Sequence, residues 1–153
     1  MSRKSERELT FKLLYMSSFY EKKELSEELL LYFDAPFPFQ DKNDNEEASD
    51  PLEISTLRDA LKDDERQNAT SKYVAVLDHI DEIDKKIEDT SKGWSLERIG
   101  KVELAILRLA VYEIEYDEDV PAQVAINEAV ELAKKFGQKE AYSFVNGVLA
   151  KFA

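Results

Sequence analysis

The chain has no cysteine and a single histidine among its 153 residues. Without cysteine there is neither a disulfide nor a thiolate metal site, and one histidine holds a metal only with carboxylate help. Glycine and proline occur four times each, and every glycine stands alone, so there is no glycine-rich phosphate loop. No G-x-S-x-G elbow or Cys–His pair is present either. No apolar run approaches the roughly 18 residues of a membrane span. The N-terminus passes from basic residues straight into an amphipathic pattern, without the apolar core of a signal peptide. Carboxylates at helical spacing, such as Glu113 and Asp117, are what 33 acidic residues produce by chance, and a charged helix face accounts for them. These absences exclude the familiar catalytic constellations and imply neither metal nor cofactor; a cytoplasmic, non-enzymatic protein is expected.

What is present is charge and helical periodicity. The net charge is −12, but it is unevenly spread. Residues 1–20 carry four basic and two acidic side chains, residues 21–66 six and fifteen, and residues 67–153 eleven and sixteen. The start of the chain is therefore locally basic within an acidic protein, and bulk charge does not exclude a polyanionic partner. The length fits one domain over residues 1–153 with a single substantial core.

Apolar residues recur at spacings of three and four. A first helix is expected from Ser5, with Glu8 as its capping-box partner, and a second over residues 24–33. The segment "DAPFPFQDKNDNEEASDP" cannot sustain a helix and is expected to form an acidic surface loop at 34–51. Helical patterns resume over 52–62 and 69–88, the latter placing His79 beside an apolar row in a structural role. "WSLERIGKVELAILRLAVYEIEY", residues 94–116, is apolar around most of its circumference and is expected to be one central helix buried by its neighbours. Asp117, Asp119 and Pro121 suit the start of the next helix. Gly137 suits a left-handed turn after it, and a last helix is expected over 139–151. No strand-like alternation competes, so the fold class is all-α with six or seven helices.

Two blocks carry a more specific signal. "WSLERIGKVELAILRLAVYEI", followed by "DVPAQVAINEAVELAKKFG" and "FVNGVLAK", resembles the NusB family, and "RKSERELTFKLLY" resembles that family's opening helix. The match covers roughly the first 20 and last 60 residues; between them only helical character agrees. The resemblance implies two helical bundles and a transcription antitermination factor without catalysis. It implies binding of boxA-type RNA together with ribosomal protein S10 (NusE), within the RNA polymerase antitermination complex that supports ribosomal RNA transcription.

Carried over residue by residue, the resemblance implies RNA contacts at Arg3, Lys4 and Arg7, a thinned version of the family's arginine-rich start because Ser5 interrupts it. Further RNA contacts are implied at Lys135, Phe136, Lys139 and Phe144, since aromatics beside cations hold single-stranded RNA by stacking. Closure of the hairpin core is the competing role for both phenylalanines. Tyr15, Glu103 and Glu140 are placed toward the partner interface. Asn127 and Asn146, poor helix formers inside helices, are expected to fix the packing of the last two helices through backbone bonds. An alternative function is a helical interaction or homodimerisation module with weak RNA affinity. By the same resemblance the RNA-binding domain of a ribosomal RNA methyltransferase shares the fold; that class is not expected here, since the chain ends at Ala153 with no room for a cofactor-binding domain.

Overall fold

Helix α1 spans Ser2–Ser17, three residues earlier than the capping-box candidate predicts, because nothing between Ser2 and Ser5 breaks it. The computed structural model describes residues 2–18, 62–91 and 94–152, with the side chains of Ser2 and Arg3 outside that description. The expected helix at 24–33, the acidic loop at 34–51 and all but the last residue of the 52–62 helix also lie outside it. The described residues contain six α-helices and no strand. The fold is all-α. The chain divides into two compact units, Met1–Tyr73 and Val74–Ala153.

In the first unit, α1 is graded along its length. Lys4 is exposed and residues 5–8 are half-buried, whereas Leu9 through Leu14, Met16 and Ser17 are buried. A helix buried on all sides has to satisfy its polar residues internally. Thr10 Oγ1 donates to Glu6 O at 2.9 Å and lies 3.3 Å from Ala69 O, and Ser17 Oγ donates to Leu14 O. Buried Lys12 pairs with Glu8 at 3.1 Å. Helix α2, Asp63–Asp78, starts with the Lys62 N–H donating to Glu65 Oε1, which is half of a capping box. Tyr73 on α2 is 1% exposed. Burial pushes its hydroxyl up to about 12, against the opposing pull of Ser17, because a phenolate loses its hydration there.

The 69–88 pattern is two helices rather than one. α2 ends at Asp78 and α3 runs Ile80–Thr90. Between them His79 takes φ −112°, ψ 15°, and its N–H reaches back three residues to Val76 O. The His79 ring stacks on Tyr116 at 4.1 Å, a long-range contact that local periodicity does not report. The apolar row itself is as expected, with Val76, Ile80, Ile83 and Ile87 all buried.

The central helix is likewise shorter than its pattern. Residues 96–98 form a 3-10 turn, Leu96–Arg98, and α4 begins only at Lys101, running to Tyr116. Gly100 is its N-cap, with ψ at 149°. Seven apolar residues between Leu104 and Val111 are buried, and α4 packs against α3 and against both helices that follow. Near its middle, Arg108 donates from Nε to Asp84 Oδ1 at 2.8 Å and from its terminal nitrogen to Asp84 Oδ2 at 2.9 Å. This two-pronged pair ties α4 to α3 in a largely buried setting.

Helix α5, Ala122–Phe136, is N-capped by Pro121, while Asp117 turns its carboxylate onto the Asp119 N–H. Helix α6, Ala141–Leu149, ends in a 3-10 turn, Ala150–Phe152. The two helices bury Ala125, Ile126, Ala129, Leu132 and Ala133 on one and Ala141, Val145, Val148 and Leu149 on the other.

The turn between them corrects one expectation. Gly137 is extended, with φ −85° and ψ 172°; the left-handed residue is Glu140, at φ 70°. Glycine is required at 137 by space. A Cβ there would lie 2.7 Å from Ala133 O and 2.7 Å from Ala141 Cβ, so the close approach of the two helix ends leaves no room for one.

Candidate nucleic-acid interface

The expected RNA residues fall in both units. In the first, Arg3, Lys4 and Arg7 lie on the opening turns of α1. Lys4 is exposed and Arg7 half-buried, while the Arg3 side chain lies outside the described residues. The fourth cation of that segment, Lys12, is buried and paired with Glu8, so the segment's basic surplus rests on Arg3, Lys4 and Arg7. Glu6 Oε2 accepts from Asn68 at 3.2 Å. Tyr15 is half-buried, consistent with a ring in the core and an edge outside.

In the second unit, the α5–α6 turn meets the segment that precedes α4. Glu103, in the first turn of α4, lays its carboxylate between two glycines. A side chain on Gly100 would run into Glu103 Oε1, and one on Gly137 would come within 3.2 Å of Oε2. A negative charge is favoured at a helix N-terminus, so Glu103 is held by its own helix and is only half-buried. Trp94 is drawn into the same end. Ser91, buried at the end of α3, donates from Oγ to Trp94 O at 2.9 Å, and the indole meets the Phe144 ring edge-on at 6.0 Å.

Cations lie over several of these rings. Arg98 Cζ is 5.8 Å from the Trp94 centroid, Lys134 Nζ 5.4 Å from that of Tyr142, and Lys135 Nζ 5.2 Å from that of Phe136. Phe136 and Phe144 are both half-buried, so each closes the hairpin with one part of its ring and shows another. Lys134 and Lys135 occupy the last turn of α5, where the helix dipole favours positive charge. Lys139 and Glu140 are exposed on the turn. Among the described residues no ion pair neutralises Arg98, Lys134 or Lys139. Such an arrangement of flat apolar surface edged by positive charge can stack an unpaired base and hold its phosphate. No group of carboxylates and histidine among the described residues could hold a metal ion.

Asn127 and Asn146 need correction. Both are exposed. Asn127 Oδ1 accepts from Gln123, one turn earlier on the same helix, at 3.0 Å, and neither side chain bridges the last two helices. Trp94, Arg98 and Tyr142 are the surface residues that sequence reasoning missed. The available signal was Trp94 and Arg98 at a spacing of four, with Arg98 expected on the polar edge of the central helix.

Residues 4–153 match the NusB family. The chain belongs to that family. A protein named transcription antitermination protein NusB from Agathobacter rectalis is 44% identical over 153 residues, covering all of both chains. Another of that name, from Lachnoclostridium phytofermentans, is 37% identical over 151 residues, 99% of this chain and 98% of that one. Among solved structures, T. maritima NusB superposes with a TM-score of 0.74 at 27% identity, covering 100% of this chain and 91% of the other. A chain from the crystal structure of a plectonemic RNA supercoil gives 0.73 at 28% identity, covering 98% and 92%. The family match takes in the whole ring-and-cation end of α5 and α6. No described helix is long and apolar enough to cross a membrane.

Proposed function

We propose that the chain is a transcription antitermination factor that binds boxA-type RNA together with ribosomal protein S10 (NusE), in the cytoplasm, as part of an RNA polymerase antitermination complex. The observation behind it is the family match over residues 4–153, with full-length relatives named for transcription antitermination. The geometry fits single-stranded RNA in particular. Partly exposed rings with cations over them, Arg98 over Trp94 and Lys134 over Tyr142, suit stacking and phosphate contact together. Lys4, Arg7 and Arg3 on α1 and Lys135, Phe136, Lys139 and Phe144 around the α5–α6 turn are the proposed RNA contacts. Tyr15, Glu103 and Glu140 are the proposed partner-interface residues. The factor performs no chemistry of its own; its effect on transcription comes from what it holds together.

The test is binding of boxA-like and scrambled RNA, with and without NusE, over a salt series. Preference for the boxA-like sequence is expected, strongest with NusE, with affinity falling as salt rises. Equal binding of both RNAs in both conditions overturns the proposal. Replacing Arg3, Lys4 and Arg7 together by alanine is expected to flatten the salt dependence by roughly two units of slope. Sizing of the same samples separates heterodimer from homodimer: a homodimer that ignores NusE supports an interaction module instead.

A further inference from the structure

Trp94 is the only tryptophan of the chain, and at 47% exposure it is the most exposed of the large apolar side chains described. Solitary exposed apolar residues need no explanation, but this one is held in place. Ser91 fixes its backbone carbonyl, Phe144 supports its ring edge-on, and the Arg98 guanidinium lies over its face. A ring that is fixed yet half exposed has lost its freedom without gaining full burial, which is the state that lowers the entropic cost of stacking a ligand.

The charge around it indicates what the ligand is. Arg98, Lys101, Lys134, Lys135 and Lys139 share this end of the second unit with Glu97, Glu103 and Glu140. Glu103 is turned inward between Gly100 and Gly137. Elsewhere in the unit Lys86 is taken up by Glu115 at 2.9 Å and Arg108 by Asp84 at 2.8 Å. Arg98 instead keeps its charge over an aromatic ring. An apolar partner surface would strand that charge, while a nucleotide satisfies both groups, its base on the indole and its phosphate on the guanidinium.

We propose that Trp94, backed by Phe144 and flanked by Arg98, is a base-stacking site that extends the RNA footprint from the α5–α6 turn onto the segment before α4. The proposal rests on the RNA-binding function above and adds to it a position at which one unpaired base is gripped irrespective of its identity, since every base presents a π-face.

Because Trp94 is the sole tryptophan, its emission reports this position alone. Full-length chain is titrated with an end-labelled, single-stranded boxA-like RNA, reading label anisotropy for binding and tryptophan emission for stacking. Emission is expected to be quenched with the same midpoint as the anisotropy change. Trp94→Ala is expected to weaken binding about tenfold, in line with roughly 1–3 kcal/mol for one stacked base, and Trp94→Phe to restore most of it. An RNA with an abasic nucleotide at the stacked position should bind wild type more weakly but Trp94→Ala no more weakly than intact RNA does.

Normal anisotropy with unchanged emission overturns the stacking site and leaves RNA binding standing. Quenching with full affinity in Trp94→Ala overturns it as well, since the ring would then only sense RNA nearby. No anisotropy change at all removes the RNA-binding reading itself. Quenching by NusE in place of RNA, with NusE affinity lost in Trp94→Ala, assigns the ring to a protein partner and overturns the proposal. Should Trp94→Ala lose its helical circular dichroism, the wild-type quench and Trp94→Phe still decide the matter.

Discussion

The two ends of α4, about 24 Å apart on a helix of 16 residues, are built from the same materials and finished differently. At the C-terminal end, His79 stacks on Tyr116 and Tyr112 lies beside it, 5.7 Å from Tyr116. The Tyr116 hydroxyl donates to Glu82 at 2.8 Å, and Lys86, 5.6 Å above the Tyr116 ring, is bonded to Glu115. Ring, cation and carboxylate form a closed set. At the N-terminal end Trp94, Phe144 and Arg98 supply ring and cation, but no described ion pair takes up Arg98, and Glu103 is turned toward Gly100 and Gly137. Aromatic and basic residues alone therefore do not mark a ligand surface. What distinguishes the two ends is whether a carboxylate has already taken the cation.

The largest way to break this contrast is to loosen the helix that carries both ends. Arg108→Ala leaves the Asp84 carboxylate buried without its partner and is expected to cost about 3–5 kcal/mol, read by urea unfolding followed by circular dichroism; a loss below about 1 kcal/mol would show that the pair does not tie α3 to α4. A smaller disturbance confined to the open end is Gly137→Ala. With its Cβ contacts at 2.7 Å to backbone and Cβ atoms, the α5–α6 turn must move, at about 1–3 kcal/mol. Gly147→Ala, where nothing lies within 4 Å, is expected to raise stability by about 0.5–1 kcal/mol. Opposite signs for two glycines ten positions apart in the α5–α6 hairpin are the outcome to check by thermal melts.

The contrast in available charge is tested by reversal at each end. Lys134→Glu with Lys139→Glu should weaken RNA binding about tenfold or more and lower the salt slope by roughly 1.4. Lys85→Glu with Lys86→Glu, at the closed end, should change it less than about twofold; equal losses at both ends would reduce the contrast to net charge.

The smallest effect concerns the closed set itself. The Tyr116 hydroxyl, and after it His79, hold the Glu82 carboxyl below its ordinary 4.5. A folded-state pKa below the unfolded one means that the contribution is present above that ordinary value and fades as pH falls through the native pKa. Melting temperatures of wild type and Glu82→Gln across acidic pH should therefore converge as the pH drops; a gap independent of pH would show that the carboxylate charge is not involved.

Much of the fold was legible in the sequence, for a physical reason. Periodic burial is a local pattern, so the apolar rows of α3 and α5 and the nearly all-round burial of α4 could be read from spacing alone. Helix ends were less legible. The break at His79 depends on a ring 37 positions away, and the late start of α4 depends on Gly100 and on how Trp94 is pulled toward Phe144. The family resemblance singled out Phe136, Phe144, Lys135 and Lys139, and these share one end of the second unit; their contact with RNA is the proposal above. Lys12 was misleading, since its pairing with Glu8 cannot be seen in a charge count. The asparagines were misleading too, because a poor helix former need not have a distant partner when it faces water.

By itself, then, the sequence determined the all-α class and the family, because composition, periodicity and motif are properties of the chain in order. Tertiary structure alone decided which cations remain available and which rings are fixed, since neutralising a charge or supporting a ring edge takes residues far apart in the chain. Glu103 turned between Gly100 and Gly137, and Trp94 set against Phe144 fifty residues later, are outcomes of packing that no local pattern encodes.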